Sequence, residues 1–223
     1  MGVCVTVGVM KMGIAILLAT LASLPAVAAE PIVFEAGAIA EWPRRNFDGE
    51  VTYRLAEIGG RSAVEAIAED GATALYHEVE VDLARTPVLE WSWRIDDLPS
   101  GEAGERTKAG DDYAARIYIV REGLFGKLSA RALNYVWSRA LPPGTEWPNA
   151  YTQRNRMIAV ASGAERAGQW VTHRRDVRAD WHAAFGEAPG HIHGICIMTD
   201  SDNTDSRARA LYGRIRFLPA PED

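Results

Sequence analysis

The eight residues Val88-Leu89-Glu90-Trp91-Ser92-Trp93-Arg94-Ile95 constrain the fold more than any other stretch of this chain. Leu89, Trp91, Trp93 and Ile95 fall on one face of an extended chain, while Glu90, Ser92 and Arg94 fall on the other. Strict period two means a strand with one buried face. Each indole hides a large apolar area, so a pair of tryptophans on one face reads as core before it reads as a ligand platform. A second layer has to cover them.

Further strand-like runs supply that layer: Pro31–Phe34, Val51–Leu55, Val64–Glu69, Thr73–Asp82, Asp111–Val120, Ala132–Ser138, Asn155–Ser162, Gln169–Asp176, His191–Met198 and Leu211–Phe217. Asp70-Gly71 is read as a tight reversal in which Gly accepts positive φ. Leu141–Pro148 contains three prolines, which remove ladder donors, and is read as an excursion over the surface. Val177–Phe185 changes to helical spacing and stops at Gly186, predicting one short helix on the outside of a sheet. About ten short strands, long loops and one helix predict an all-β, two-layer antiparallel β-sandwich of jelly-roll type. Neither a repeat nor a linker interrupts residues 30–223, which are read as a single β-sandwich domain.

Ahead of that domain, Lys11 precedes the apolar run Gly13–Ala19, and Pro25-Ala26-Val27-Ala28-Ala29 ends it in small residues. This order is that of a secretory signal peptide spanning residues 1–29, which predicts a periplasmic or secreted protein without a membrane anchor after cleavage. Met10-Lys11 opens such a peptide better than Met1-Gly2, placing the expected start at Met10. Cys196 is then the one cysteine left, and between Ile195 and Ile197 it reads as an inert small hydrophobe. The formal net charge of -6 and the lack of a Lys/Arg-rich run exclude nucleic acid and anionic membrane surfaces as natural partners.

Three groups of residues carry possible chemistry. Asp200, Asp202, Asn203 and Asp205 place oxygen donors at short spacing after an apolar strand, as a hard cation such as Ca²⁺ requires. The glycine and closing glutamate of an EF-hand are absent, and the same residues equally suit a loop tied down by its own backbone N–H groups. Asp111 and Asp112, with Arg116 to stabilise negative charge, form a candidate acid/base set for polysaccharide cleavage, or a structural ion pair. Of the two acids, Asp112 is the expected partner of Arg116, four residues along the same face. Trp147 on the proline-rich excursion and Tyr151 just after it, with Asn134 and Trp137 on the strand before it, are the candidate ligand-binding residues. His191 and His193 share a spacing that can hold Zn²⁺ or Cu²⁺, but lack a third ligand nearby in sequence.

Leu89–Arg94, Asp111–Tyr118, Asn134–Ser138 and Met198–Thr204, in that order, resemble the exported bacterial proteins grouped as the domain-of-unknown-function 3047 family (DUF3047). The resemblance spans nearly all of the chain after residue 29. It implies an exported single-domain protein and assigns no catalytic residue. Residues and resemblance together lead to the expectation of a non-catalytic binding protein for a glycan or cell-envelope ligand. The rival expectation is a polysaccharide hydrolase or lyase using the acids of the sandwich face.

Overall fold

A computed structural model describes residues 1–2, 29–123 and 126–221. The expected signal peptide lies almost entirely outside these residues. Strand β1 (Ile32–Phe34) leads into the single turn α1 (Ala36–Ala40), and β2 (Arg44–Asp48), β3 (Val51–Ile58), β4 (Arg61–Glu69), β5 (Ala72–Asp82) and β6 (Val88–Asp97) follow. After a long loop holding a 3-10 turn at Lys108–Gly110 come β7 (Arg116–Gly123), β8 (Gly126–Ser138), β9 (Glu146–Pro148), β10 (Asn155–Ser162) and β11 (Val171–Asp176). Helix α2 (Val177–Phe185), β12 (His191–Asp200) and β13 (Arg207–Leu218) complete the order.

The strands form a two-layer sandwich of jelly-roll type. One sheet runs β11-β6-β13-β4-β3, with β1 continuing on β13, and the seven-stranded sheet runs β2-β5-β12-β7-β8-β10-β9. Period two sorts every central strand. Trp91 and Trp93 of β6 meet Ile117 and Ile119 of β7, Tyr135 and Trp137 of β8, and Ile195 and Ile197 of β12 in one buried core. Trp91 stacks on Tyr135 at 5.2 Å between ring centroids.

Five local expectations change. Asp70-Gly71 is no hairpin: it carries the chain from β4 in one sheet to β5 in the other. The positive φ belongs to Asp70 (53°), and Gly71 is needed because a Cβ there would stand 2.6 Å from the Glu50 carbonyl oxygen. The sheets are also not purely antiparallel, since β10 runs parallel to β8. The proline-rich excursion between them is long enough to return the chain to the starting end, and its Glu146–Pro148 adds an edge strand, where proline is tolerated. Asp111–Ala115 precedes β7 as irregular chain, so the strand starts at Arg116.

The helix forms over the expected residues, N-capped by Asp176, which accepts from the Ala179 N–H at 2.9 Å, and ended by Gly186 at φ 75°. It does not lie on an outer face. Trp181 is buried in the common core, Asp180 accepts from the Tyr135 hydroxyl of β8 at 2.8 Å, and Arg156 of β10 donates to the Ala184 carbonyl at 3.2 Å. The helix therefore seals the gap between the two sheets. Among the described residues, no helix is long and apolar enough to cross a membrane.

Candidate functional site

On each central strand of the seven-stranded sheet, the residues that alternate with the core face outward. Ala72, Ala74 and Tyr76 of β5, Gly194, Cys196, Met198 and Asp200 of β12, and Arg116, Tyr118 and Val120 of β7 line a cleft of about 780 Å³. Ala72, Ala74, Gly194 and Cys196 leave room on its floor between the larger Tyr76, Tyr118 and Met198. Phe47 of β2 flanks it from one edge of the sheet and Tyr151, ahead of β10, from the other; they are 58% and 56% exposed.

One end of the cleft is acidic and is built where three stretches distant in sequence meet. Arg116 is its centre, with a side chain only 3% exposed. Its Nε donates to Asp200 Oδ1 at 2.9 Å, its Nη2 to Asp200 Oδ2 and to the Asp111 carbonyl, and its Nη1 to the Tyr118 hydroxyl at 3.1 Å. The guanidinium also lies over the Tyr113 ring, 4.3 Å from its centroid. Asp111 is a longer-range partner at 3.6 Å.

Arg116 thus pairs with Asp200 and Asp111, not with Asp112. Because Asp111–Ala115 is not extended, same-face spacing along a strand does not apply to it. Asp112 instead ties down the turn after β12, accepting from the Asn203 N–H and Nδ2 at 3.2 Å each and from the Thr204 hydroxyl at 2.6 Å. That is the local backbone bonding foreseen for the acidic loop, but supplied from another part of the chain.

Buried charge sets the electrostatics. Burial opposes the Arg116 charge, yet Asp200, Tyr118 and Asp111 beside it hold its pKa well above the ordinary value. Burial, with Asp112 adding to it, raises the Asp200 carboxyl well above the ordinary carboxylate value, against the pull of Arg116 and of the Tyr113 N–H, 3.0 Å from Oδ1. With donors on both oxygens, Asp200 is the carboxylate of the pair. Asp111 and Asp202 are raised, first by burial and then by neighbouring Asp112, against the pull of Arg116 and their hydrogen bonds. Each retains an inaccessible Oδ1 without a donor.

The other sequence candidates divide. Tyr151 lines the cleft, donating to Asn203 Oδ1 and accepting a cation–π contact from Lys108 at 5.2 Å. Asn134 is fully buried outside the cleft lining, its Nδ2 donating to the Arg156 carbonyl at 3.4 Å. Trp137 lies in the core between the sheets, donating to the Gly163 carbonyl at 2.9 Å. Trp147 is core as well: the excursion folds back over β8 and β10, and its indole packs with Tyr113, Val136, Met157 and Ala159. Neither tryptophan is a stacking platform, because neither ring has a free face. Asp205 is exposed, at φ 45°, apart from the other acids. His191 and His193 share a small hollow with Glu80 and Glu122, and His193 Nδ1 is occupied by the Glu122 N–H at 3.2 Å.

Sequence reasoning missed Phe47, Tyr76, Tyr118 and Asn149 of the cleft. Asn149 donates to Asp111 Oδ2 at 3.0 Å and accepts from the Tyr151 N–H at 3.0 Å, linking the excursion to the acids. It also missed Glu105, buried in the loop before β7, which accepts from the Ser138 hydroxyl at 2.8 Å and the Arg139 N–H at 2.7 Å. Cys196 belongs to the cleft floor rather than to the main core, and burial pushes its thiol up to about 12, which keeps it unreactive at neutral pH.

Solved structures with a similar trace are only distantly alike. The glycoside hydrolase domain of Endo-D from Streptococcus pneumoniae R6 is 8% identical with a TM-score of 0.41; the match covers 82% of this chain and 22% of that one. Endoglucanase cel12A from Rhodothermus marinus is 9% identical, with 85% and 100% covered and a TM-score of 0.45. A low-affinity xylan binding module, CBM86, from Roseburia intestinalis is 8% identical, with 86% and 97% covered and a TM-score of 0.35. No curated protein matches the chain. The family described as protein of unknown function (DUF3047) matches residues 40–216, the span that holds the cleft, its acidic end and all of the strands but β1 and the last two residues of β13, and the chain belongs to that family.

Proposed function

We propose that the protein is exported and binds a glycan or another hydroxyl-rich cell-envelope ligand along the cleft of the seven-stranded sheet. One observation carries the reading: an open cleft of about 780 Å³ has exposed aromatic rings on opposite flanks and carboxylates and amides at one end. Aromatic faces stack on the apolar faces of sugar rings, and carboxylates and amides bond hydroxyls, so both components of glycan recognition are within one concavity. The hydrogen bonds of Arg116, Asp200 and Asp112 tie loops together, a structural task that supports binding over turnover. Export rests on the sequence of residues 1–29.

Screening the purified protein against cell-wall and other polysaccharide fragments, followed by calorimetry, tests the proposal. Phe47 and Tyr151 are exposed, so Phe47→Ala and Tyr151→Ala should leave the fold intact and each weaken binding about three- to tenfold, the loss expected of one stacking contact. No binding at millimolar ligand, or equal binding by both variants, rules the cleft out as the site.

A hydrolytic reading is favoured by one feature, that Asp111 and Asp202 both line the cleft with carboxyls raised chiefly by burial, the direction a general acid needs. Release of reducing ends that disappears in Asp202→Asn would support it. Binding with no release excludes it.

A further inference from the structure

We propose that the acidic end of the cleft is a calcium site formed by Asp112, Asp200 and Asp202, with Asp111 at its edge. One carboxylate oxygen from each of Asp112, Asp200 and Asp202 lies within 4.8 Å of the others. Calcium holds oxygens at about 2.3–2.6 Å, so ligands on opposite sides of the ion are about 4.6–5.2 Å apart, and three oxygens this close together can share one ion. The set contains oxygens alone, which suits a hard cation and not a softer transition metal.

Clustered acids by themselves are common on protein surfaces. Here an independent observation points to a missing partner. The Asp111 side chain is only 4% exposed, and its Oδ1 has no donor, although Oδ2 is served by Asn149 and Arg116. Asp202 Oδ1 is likewise inaccessible and without a donor. Both residues line the same end of the cleft as Asp200 and Asn203.

Charge balance points the same way. Asp111, Asp112, Asp200 and Asp202 surround one guanidinium, whose hydrogens already serve Asp200, the Asp111 carbonyl and Tyr118. A divalent cation supplies the positive charge the protein does not. Asp200 remains available to it, because each carboxylate oxygen has a second lone pair beside the one facing Arg116. Asp205, included in the site expected from sequence, points away into solvent, and Asp112 takes its place.

The test titrates calcium chloride into the chelator-treated protein without any glycan, so it succeeds or fails independently of the cleft's ligand. Calorimetry and elemental analysis should give one calcium per chain, and the melting temperature should rise with calcium. Asp112→Asn and Asp202→Asn should weaken calcium binding by about tenfold or more, since each removes an anionic ligand, while Asp205→Asn should leave it unchanged. Where Asp112→Asn fails to fold because its turn is lost, Asp202→Asn decides: in chelator it should melt no lower than wild type, because it removes surplus negative charge. No heat and no melting shift at millimolar calcium would overturn the proposal, as would an equal response in Asp202→Asn. A magnesium response as strong as that to calcium would overturn the ion assigned.

Discussion

Removing the Arg116 guanidinium exposes the energetics of the acidic end most directly. In Arg116→Ala, Asp200 loses both side-chain donors and keeps only the Tyr113 N–H, while its carboxylate stays 3% exposed beneath the loops. Breaking a buried pair by removing one partner costs about 3–5 kcal/mol, because the remaining charge is desolvated without compensation. Domains of this kind are stable by about 5–15 kcal/mol, so the variant should fold with much of its margin gone. Urea unfolding at neutral pH measures the loss. The sign of its pH dependence follows from the same charge. Burial already raises the folded Asp200 carboxyl, and without Arg116 it rises further, so the folded state holds the proton to higher pH, and stability falls as pH rises through that window. The deficit should therefore be smaller near pH 4 than near pH 7. Replacing both partners, as Arg116→Met with Asp200→Leu, should recover most of the loss, because an apolar pair carries no stranded charge. A loss below about 1 kcal/mol, the value for an exposed pair, would refute the reasoning, as would a double variant no more stable than the single one.

Other perturbations separate structural from binding residues. His173 lies against Trp91 and Trp93, and burial, with Arg166 and Arg175 adding to it, lowers it to about 4. The unfolded chain then binds the extra proton first, so stability should fall by up to about 3 kcal/mol as pH drops from 6.5 towards 4, and His173→Phe should remove this part of the acid sensitivity in urea melts. Glu105→Ala takes the acceptor from the Ser138 hydroxyl and the Arg139 N–H, and should cost about 2–4 kcal/mol by the same measurement. Trp147→Ala should lower stability by about 3–5 kcal/mol as a core truncation, with ligand affinity in the folded fraction retained. Asp111 is raised chiefly by burial, so the stability its proton contributes is lost as pH rises; in chelator, Asp111→Asn should gain on wild type between pH 4 and pH 8 in thermal melts.

Much of the scaffold was legible because its signals are local. Period two in Val88–Ile95 assigned Trp91 and Trp93 to the core, and the helical spacing of Val177–Phe185, stopped by Gly186, gave the helix to the residue. The resemblance to DUF3047 held over residues 40–216. The errors occurred where a local pattern has two three-dimensional meanings. Asp-Gly suits a hairpin and a crossing between sheets alike, and only the register of Glu50 against Gly71 distinguishes them. Alternation told which residues of β8 share a face, but not that the outer face of its far end is roofed by the excursion, which buries Val136 and Trp147 together.

The acidic end divides along the same line. By itself the sequence determined that Arg116 had to find an acid, and that oxygen-rich side chains follow the apolar run of β12, because an unpaired charge in an apolar strand is untenable. Which acid it meets was decided by sheet order. Placing β12 beside β7 brings Asp200 to Arg116 across 84 residues of sequence, while Asp112, four residues away, is turned towards Asn203 and Thr204 by the irregular chain before β7. Side-chain type is written in the chain, but the distance between two charges separated by dozens of residues exists only once the sheets have closed.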